Sequence, residues 1–528
     1  MNTNSLKNDD QMEPYMINNV QKKFEAYYIQ ASPKECSVPV PLVMQYGSEE
    51  SVDTSAPSGI VEIDIHATKR RNLFFSTVCA NFSTMAAGNA MAWSSPSIPN
   101  MMDQGLIDEY EAAWLTSMLA VGASIGPFLA YRLVESFGRK KLLILDMVLL
   151  IFSWVLLGLA PSIAPHLPVN TAVDGIQIMY VARFFSGISV GCIFMVTPMY
   201  IAEIADTRVR SALGSLFTLF LIFGYLVEYS IGPYFSSTVL VLVSFISPIT
   251  CLTIFCTVLP ESPLYLMGRG EREAATSALQ WLRRREDVSD EIKEIEVSLE
   301  ESRTTDLVSW SQLLTTRGHL KCLYYVITLI LFQQLSGVTV ILFYSEPILK
   351  MTSSDLSPAV GTILLAVVYM LASFWAPGLT AKFGIKRLLV LSSIGCCFFL
   401  GALAFYFYLD QVKVNLDSFK WVPVACNVLY FSFHSIGLSS GPWALMGEFY
   451  SPSIKAKSSA LTASFCWMFV FILSKLFPPI SISLGPAICF AVFSAFCFVC
   501  TLYIVILLPD TSGMSLFQIQ KLLYEGKK

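Results

Sequence analysis

The sequence has 528 residues, of which 54% are hydrophobic and only 14% are charged. Soluble proteins carry about 25% charged residues, so this deficit, together with apolar blocks of about 20 residues, excludes a soluble enzyme and a secreted disulfide scaffold. A formal net charge of -4 gives no reason to expect a nucleic-acid partner.

The N-terminal tail, 1–72, is polar and predicts a disordered segment. Twelve predicted apolar spans follow, at 73–93, 114–133, 142–160, 176–200, 211–231, 238–259, 321–348, 358–380, 387–409, 421–446, 459–480 and 485–508. They form two groups of six, 73–259 and 321–508. A linker, 260–320, separates the groups, and its Glu, Arg, Ala and Leu content predicts short surface helices. The tail 509–528 closes the chain. The fold class is therefore an all-α membrane protein.

Lysine and arginine predict the orientation of the spans. They lie in alternate loops, at 139–141, 208–210, 269–285, 382–387 and 455–457, and again just before the first span at 69–71. The intervening loops 94–113, 161–177 and 232–237 contain neither residue. Because basic loops stay on the cytoplasmic side of a membrane, both termini and the linker are predicted to be cytoplasmic.

An internal repeat relates the two groups of spans. Phe-Gly-Arg-Lys-Lys-Leu-Leu at 137–143 recurs as Phe-Gly-Ile-Lys-Arg-Leu-Leu at 383–389, which is 246 residues further along the chain. Pro-Glu-Ser at 260–262 recurs as Pro-Asp-Thr at 509–511, and Glu203 recurs as Glu448. Three motifs at nearly one offset predict two parallel six-helix halves, which is the arrangement of major facilitator transporters with a site between the halves.

Several motifs together resemble the sugar porter family of the major facilitator superfamily. Span 4 carries Arg183-x-x-x-Gly187-x-x-x-Gly191 and then Pro198-x-Tyr200-x-x-Glu203. Span 6 ends in Pro-Glu-Ser-Pro at 260–263, span 7 contains Gln-Gln-Leu-Ser-Gly at 333–337, and span 12 is followed by Pro-Asp-Thr-Ser-Gly at 509–513. The segment Trp-Ser-Ser-Pro-Ser-Ile-Pro at 93–99 is similar to the end of the first span in insect facilitated trehalose transporters.

The resemblance implies a sugar site between the halves. Gln333 and Gln334 are amides inside an apolar span, where they must be satisfied either by a solute or by another helix. Trp443 matches the family's tryptophan beneath the sugar. By register, the other expected substrate-binding residues are Thr218, Thr339, Phe343, Tyr344, His434 and Trp467. Several positions of this pocket differ from the family pattern. Thr218, Thr339 and Cys466 replace amides, and Phe343 replaces a tyrosine. In span 10 the usual glutamate and Pro-x-Pro are replaced around His434-Ser435 and at 438–440.

The resemblance also implies ion pairs that latch the outward-open state. The expected gating residues are Arg139, Glu203, Arg210 and Glu261 in the first half, and Lys386, Glu448 and Lys455 in the second. The alternative is that these charges only mark topology and anchor helix ends. Ile385 stands where the second-half motif usually has an arginine, which predicts a weaker latch there.

These observations favour a facilitative transporter of a small neutral solute, a sugar such as trehalose or glucose, working as a monomer in the cell membrane. A non-transporting sugar sensor and a carrier of a non-sugar solute remain alternatives. No nucleophile–base pair or metal-ligand cluster is evident, so no enzyme activity, cofactor or metal is expected. Proton-driven members of the family that the chain resembles carry an acid in span 1, whereas residues 73–93 contain no Asp or Glu, so the resemblance implies passive transport. Glu228 and His434 leave proton coupling open.

Overall fold

A computed structural model describes residues 70–163, 175–206, 209–304, 308–351, 356–511, 514 and 516–525. Within these ranges the regular structure is helical and contains no strand. The predicted N-terminal tail lies outside the described residues except for its end at 70–72. Arg208, one of the basic loop residues, also lies outside them. The predicted all-α fold class is confirmed.

Twelve helical segments follow one another as the sequence predicts, and we number them spans 1–12. Spans 6, 7 and 10 are each interrupted within their length. The bounds are Arg71–Ala92, Glu109–Phe137, Arg139–Ile163, Gly175–Ile204, Arg210–Ile231, Ser237–Thr257, Arg317–Phe343, Pro358–Phe383, Ile385–Gln411, Asp417–Phe449, Pro452–Leu484 and Pro486–Ile506.

Span 1 differs from the other spans in composition. In the described part of the chain, 11 segments are long and apolar enough to cross a membrane, and Arg71–Ala92 is not among them. Its polar side chains, among them Asn81 and Asn89, are buried inside the protein. Ser83, for example, shares a hydrogen bond of 2.8 Å with Thr197 of span 4. Span 1 is therefore an interior helix whose polar groups are satisfied by its neighbours, and hydropathy alone understates its place in the bundle.

Spans 2 and 4 approach each other closely along a stripe of small residues. A Cβ atom added at Gly187 would lie 2.0 Å from the backbone oxygen of Leu119, and one at Gly122 would lie 2.0 Å from that of Phe184. Without a hydrophobic driving force between helices in lipid, such close backbone contact is a main source of association. Gly187 therefore has the packing role that its spacing suggests.

Replacing Gly187 with valine is expected to destabilise the first half. The added carbons collide with backbone atoms that no rotamer change can move, and overpacking of this kind costs about 3 kcal/mol or more. Thermal unfolding of the purified protein in detergent should show a clear loss of stability. Gly378→Ala is the matched control, because nothing lies within 4 Å of a Cβ atom added there. Equal unfolding temperatures for both variants would contradict the assigned packing.

The repeated motifs form equivalent turns at one end of the bundle. Gly138 and Gly384, between spans 2 and 3 and between spans 8 and 9, have positive φ values of 86° and 82°. The Lys140 ammonium group donates to the Leu259 carbonyl at 2.6 Å, and the Lys386 ammonium group donates to the Leu508 carbonyl at the same distance. We call this end of the bundle the basic end. The end where spans 1 and 2 are joined is the opposite end.

The linker forms four helices, Pro263–Gly268, Arg272–Arg283, Ser289–Thr304 and Trp310–Thr315. The first three share a small apolar core that includes Met267, Leu279 and Ile292. Arg283 donates a hydrogen bond of 2.9 Å to the Ile204 carbonyl at the end of span 4. The linker therefore docks on the basic end of the first half.

Candidate functional site

Two interrupted helices of the second half meet at the centre of the candidate site. Span 7 breaks at Gly337, whose φ is 82° and where an added Cβ atom would lie 2.6 Å from the Phe493 ring. Span 10 breaks between Ile436 and Gly441. A break frees backbone carbonyls from the helical hydrogen-bond ladder, so each one exposes polar groups that need partners.

Gln333 connects the two breaks. Its amide nitrogen donates to the carbonyl oxygens of Leu438 and Ser439 at 2.7 and 2.9 Å. Its amide oxygen is buried and has no hydrogen-bond partner. A side-chain amide whose two N–H groups both donate to helix carbonyls can still accept a hydrogen bond from a solute through its oxygen. Gln333 thus has both a structural contact and an unused acceptor.

The side-chain amide of Gln334 makes hydrogen bonds with two residues that differ from the pattern of the family that the chain resembles. The Gln334 amide nitrogen donates to the Cys466 sulfur at 3.2 Å, and its amide oxygen accepts from the Thr339 hydroxyl at 2.7 Å. Thr339 and Cys466 therefore support the glutamine directly. The residues exchanged in the pocket change the hydrogen-bond partners of Gln334. The nitrogen and the oxygen of its amide each still have a partner.

The aromatic residues expected to bind substrate, together with Thr218, lie in different environments. Trp467 packs edge-on against Phe194 of span 4, with ring centroids 5.2 Å apart, so it joins the two halves. Trp443 and Thr218 are half-buried. Phe343 is fully buried, and the Tyr344 hydroxyl donates to the Ser474 carbonyl at 3.0 Å. Phe343 and Tyr344 therefore lie toward the opposite end, beyond the break in span 7.

His434 lies among aromatic side chains of span 8 and span 10. Its ring packs against Tyr430 and Tyr369, with centroid separations of 5.8 and 6.4 Å. Both ring nitrogens are buried and have no hydrogen-bond partner. His434 therefore lies inside the second half, and its imidazole ring makes no hydrogen bond.

The structure also brings two tyrosines to the site that the sequence analysis missed. Tyr225 of span 5 is buried, and its hydroxyl has no hydrogen-bond partner. The Tyr369 hydroxyl of span 8 shares a hydrogen bond of 3.3 Å with Ser439, next to the break in span 10. The only available signal was helical spacing, because Tyr225 follows Thr218 by seven residues and lies on the same helix face.

The candidate latch is well formed in the first half. Two nitrogens of the Arg139 guanidinium donate to one Glu203 carboxylate oxygen at 2.8 and 3.0 Å, and the Ser262 hydroxyl donates to the other. Glu261 accepts from the backbone N–H groups of Arg139 and Lys140 at 3.0 Å. These bonds tie together the ends of spans 3, 4 and 6.

The second half differs from the expected latch. Glu448 accepts a hydrogen bond of 3.1 Å from the Thr511 hydroxyl. The expected Glu448–Lys455 ion pair is not formed, and Lys455 is exposed. The physical reason is that Ile385 supplies no guanidinium to organise the glutamate. Arg210 is likewise exposed and makes no ion pair with Glu203 in the described part of the chain.

Contacts between the halves close the opposite end. The Tyr229 hydroxyl donates to the Leu342 carbonyl at 2.5 Å, and the Glu346 backbone N–H donates to the Ser95 hydroxyl at 3.2 Å. The Lys475 ammonium group of span 11 lies 4.0 Å from the ring centroid of Trp114 in span 2. At the basic end, the Arg70–Asp206 and Arg139–Glu203 ion pairs lie within the first half, and the Arg283–Glu291 and Arg285–Glu291 ion pairs lie within the linker.

Comparison with known sequences decides the family. A sequence-family model described as "Sugar (and other) transporter" matches residues 72–523. The chain belongs to this family. Sugar transporters of this kind are multi-pass membrane proteins, in agreement with the apolar spans.

Curated relatives of this chain include insect proteins. The facilitated trehalose transporter Tret1 of Anopheles gambiae is 27% identical over 498 residues, which cover 91% of this chain but only 61% of that protein. The Tret1-2 homolog of Drosophila sechellia is 29% identical over 461 residues, covering 86% of this chain and 92% of that protein. The Bombyx mori Tret1 is 27% identical and covers 93% and 95% of the two chains.

Solved structures confirm the major facilitator fold. The inward open conformation of the xylose transporter XylE from E. coli superposes with a TM-score of 0.70 at 20% identity, covering 85% of this chain and 99% of that one. Its partially occluded inward open conformation gives a TM-score of 0.68 at 22% identity, covering 83% and 100%.

Proposed function

We propose that this sugar transporter carries trehalose or glucose by facilitated diffusion across the cell membrane. The observation that carries the proposal is Gln333, because its buried amide oxygen is an unused acceptor beside two helix breaks of the second half. Sugar hydroxyl groups both donate and accept hydrogen bonds and so fit such an acceptor. The trehalose assignment draws on the names of the insect relatives.

The proposed substrate site combines amides, hydroxyls and aromatic rings. Gln333 and Gln334 would hold sugar hydroxyls, and Trp443 would offer a ring face to the sugar. Residues closer to the boundary between the two halves, or closer to the opposite end, would complete the walls of the sugar site. The residues in this second group are Thr218, Thr339, Phe343, Tyr344, His434 and Trp467.

Transport would proceed by rocking of the two halves about this site. We propose that the basic end is cytoplasmic, since lysine and arginine concentrate there, and that both termini lie on that side. The contacts at the opposite end then close the extracellular entrance in this state. One chain contains both halves and is therefore sufficient to form the whole pathway as a monomer. We propose no covalent chemistry for it.

Passive transport is the proposed energetics. Span 1, Arg71–Ala92, contains no acidic residue that could exchange a proton with the pathway. Glu228 in span 5 is buried, and one of its carboxylate oxygens accepts from the Ser244 hydroxyl of the first half, while the other has no hydrogen-bond partner. Sugar should therefore equilibrate across the membrane without accumulating against its gradient.

The first-half latch yields a prediction for gating. Because the Arg139–Glu203 pair has side chains that are 14% and 10% exposed, Arg139→Ala should lower the maximal uptake rate about tenfold while changing KM little. The measurement is initial uptake across a range of sugar concentrations, corrected for surface expression.

Arg272→Ala is the matched control for the latch prediction. Arg272 pairs with Glu296 in the linker, but their side chains are 63% and 35% exposed, so the loss should be nearly silent. If Arg139→Ala and Arg272→Ala transport at the same rate, the charges at 139 and 203 only anchor helix ends.

Radiolabelled uptake in oocytes tests the proposed substrate. Trehalose and glucose should each be supplied over a range of concentrations, with surface expression measured in the same cells. We expect saturable uptake of at least one of the two sugars. Whichever of the two binds more tightly should inhibit that uptake. Well-expressed protein that takes up neither sugar would refute the proposal.

A further inference from the structure

The Lys475 side chain crosses the boundary between the two halves at the opposite end of the bundle. Lys475 belongs to span 11, and its ammonium nitrogen lies 4.0 Å from the Trp114 ring centroid and 4.3 Å from the Tyr110 ring centroid, both in span 2. The same nitrogen is buried and has no hydrogen-bond partner among the described residues. Because a buried ammonium group is costly unless something replaces its water, the two rings are the groups that replace it here.

The spacing along both helices builds this contact. Tyr110 and Trp114 are four residues apart in span 2, and Phe471 and Lys475 are four residues apart in span 11, so each pair lies on one helix face. The Phe471 ring also packs against the Trp114 ring, with a centroid separation of 6.3 Å. We call Lys475, Tyr110 and Trp114 the aromatic clasp. Both of its cation–ring contacts join the second half to the first.

Another charged contact between the halves at this end is of a weaker kind. The Lys350 ammonium group lies 3.1 Å from the Asp103 carboxylate, and the two side chains are 43% and 71% exposed. Exposed ion pairs of this kind contribute little to stability, because water screens them. A cation over aromatic rings is attracted more strongly when water is removed, as it is around the Lys475 nitrogen. The clasp therefore holds this end closed more effectively than the ion pair does.

We propose that the aromatic clasp is a conformational lock that favours the state in which the opposite end is closed. The contact exists only while spans 2 and 11 are close together, so rocking the halves apart at this end must break it. The released ammonium group would then be hydrated, which limits the difference in free energy between the closed and the open state. The clasp sets the fraction of closed protein whichever solute the protein carries.

A lysine that only extends toward the surface would behave differently. Lysine side chains often bury their apolar stem and hold the charge near water. Methionine has a similar length and no charge, so Lys475→Met would then leave the closed state as stable as before, or more stable, because no buried ammonium group remains. The clasp predicts the reverse, which is that removing the charge reduces the fraction of closed protein.

Lys475→Met tests the clasp through the accessibility of a cysteine at the boundary between the halves. Ser95 is the position for this cysteine, because it is fully buried and its hydroxyl accepts from the Glu346 backbone N–H of the second half. Maleimide labelling of Ser95→Cys should be timed in purified protein without sugar and read at that site by mass spectrometry. We expect Lys475→Met to label about tenfold faster, because the rate follows the population of the open state.

Two further variants on the Ser95→Cys background show whether the charge and the ring act together. Trp114→Leu should also label several-fold faster than the parent. The double variant Trp114→Leu with Lys475→Met should label no faster than Lys475→Met alone, because the two residues form one contact. Lys475→Arg keeps a cation that can stack on the rings, so it should label close to the parent rate.

Lys350→Met is the matched control, because it removes an exposed ammonium group between the halves at the same end. It should label at the parent rate, and Cys192, buried in span 4, should stay unlabelled in every variant. An unchanged or slower rate for Lys475→Met would overturn the clasp, and so would increases that multiply in the double variant. Labelling of Cys192 together with the boundary cysteine would show general unfolding and would also overturn a specific clasp.

The labelling experiment is independent of the proposed function. No transport is measured in it, so labelling rates that overturn the clasp leave facilitated sugar transport standing. Absence of sugar uptake by the wild type would overturn the proposed function and leave the clasp standing.

Discussion

Gln333→Leu is expected to reduce saturable sugar uptake by at least about 100-fold. The leucine removes the unpaired amide oxygen proposed to bind sugar, and it also leaves the Leu438 and Ser439 carbonyls without their donor. Each unmet buried hydrogen bond costs about 1–3 kcal/mol, and about 1.4 kcal/mol corresponds to a factor of ten. Radiolabelled uptake, normalised to protein at the cell surface, measures the effect.

Two further variants separate the contributions of Gln333. Gln333→Glu keeps a side-chain acceptor but loses the donor to the break in span 10, so it should fold less well and still show a measurable sugar affinity. Gln280→Leu is the control, because Gln280 donates to a single carbonyl, that of Glu286, in the exposed linker. Uptake by Gln333→Leu within threefold of the Gln280→Leu value would contradict the assigned site.

Arg183→Met is expected to have the largest effect on stability. Arg183 is fully buried in span 4, where its side chain donates to the Ala90 carbonyl at 2.5 Å and to the Leu115 carbonyl at 3.3 Å. Glu228 of span 5 is buried as well. Arg183→Met leaves both carbonyls without their donor, and each unmet buried hydrogen bond costs about 1–3 kcal/mol. Thermal unfolding in detergent and the monodisperse fraction should both fall sharply.

The double variant Arg183→Met with Glu228→Gln provides the internal test. If the loss of the Arg183 charge also destabilises the buried Glu228 carboxylate, neutralising Glu228 should restore part of the lost stability. Arg387→Met is the control, since Arg387 is an exposed arginine at the start of span 9. An Arg183→Met protein as stable as Arg387→Met would show that the arginine is not balancing a buried charge.

Much of the fold could be predicted because a bilayer restricts the length and the composition of the helices that cross it. Apolar length predicts the spans, and the Gly138 and Gly384 motifs predict the two related halves. The sequence predicts span 1 despite its polar residues, because a long stretch of apolar and small residues follows Lys69 and Arg70. The structure explains those polar residues by burial against spans 4 and 5.

The candidate site was less predictable because its contacts depend on packing between distant segments. Gln333 was identified from its motif, but its bonds to the span 10 break require the fold. The partner of Glu448 was predicted as Lys455 and is Thr511 instead, since the sequence does not show how the missing arginine at Ile385 is compensated. Tyr225 carries no motif, and only the structure shows that its hydroxyl is unpaired.

Sugar flux through the purified protein tests the central claim most directly. The protein should be reconstituted into liposomes and supplied with labelled trehalose or glucose, with and without a pH gradient, beside liposomes that contain Gln333→Leu. We predict that the sugar reaches equal concentrations inside and outside, that a pH gradient drives no accumulation, and that the variant is silent. Folded wild-type protein that carries no sugar, or that accumulates it when a pH gradient is applied, would contradict the account of a facilitative sugar transporter.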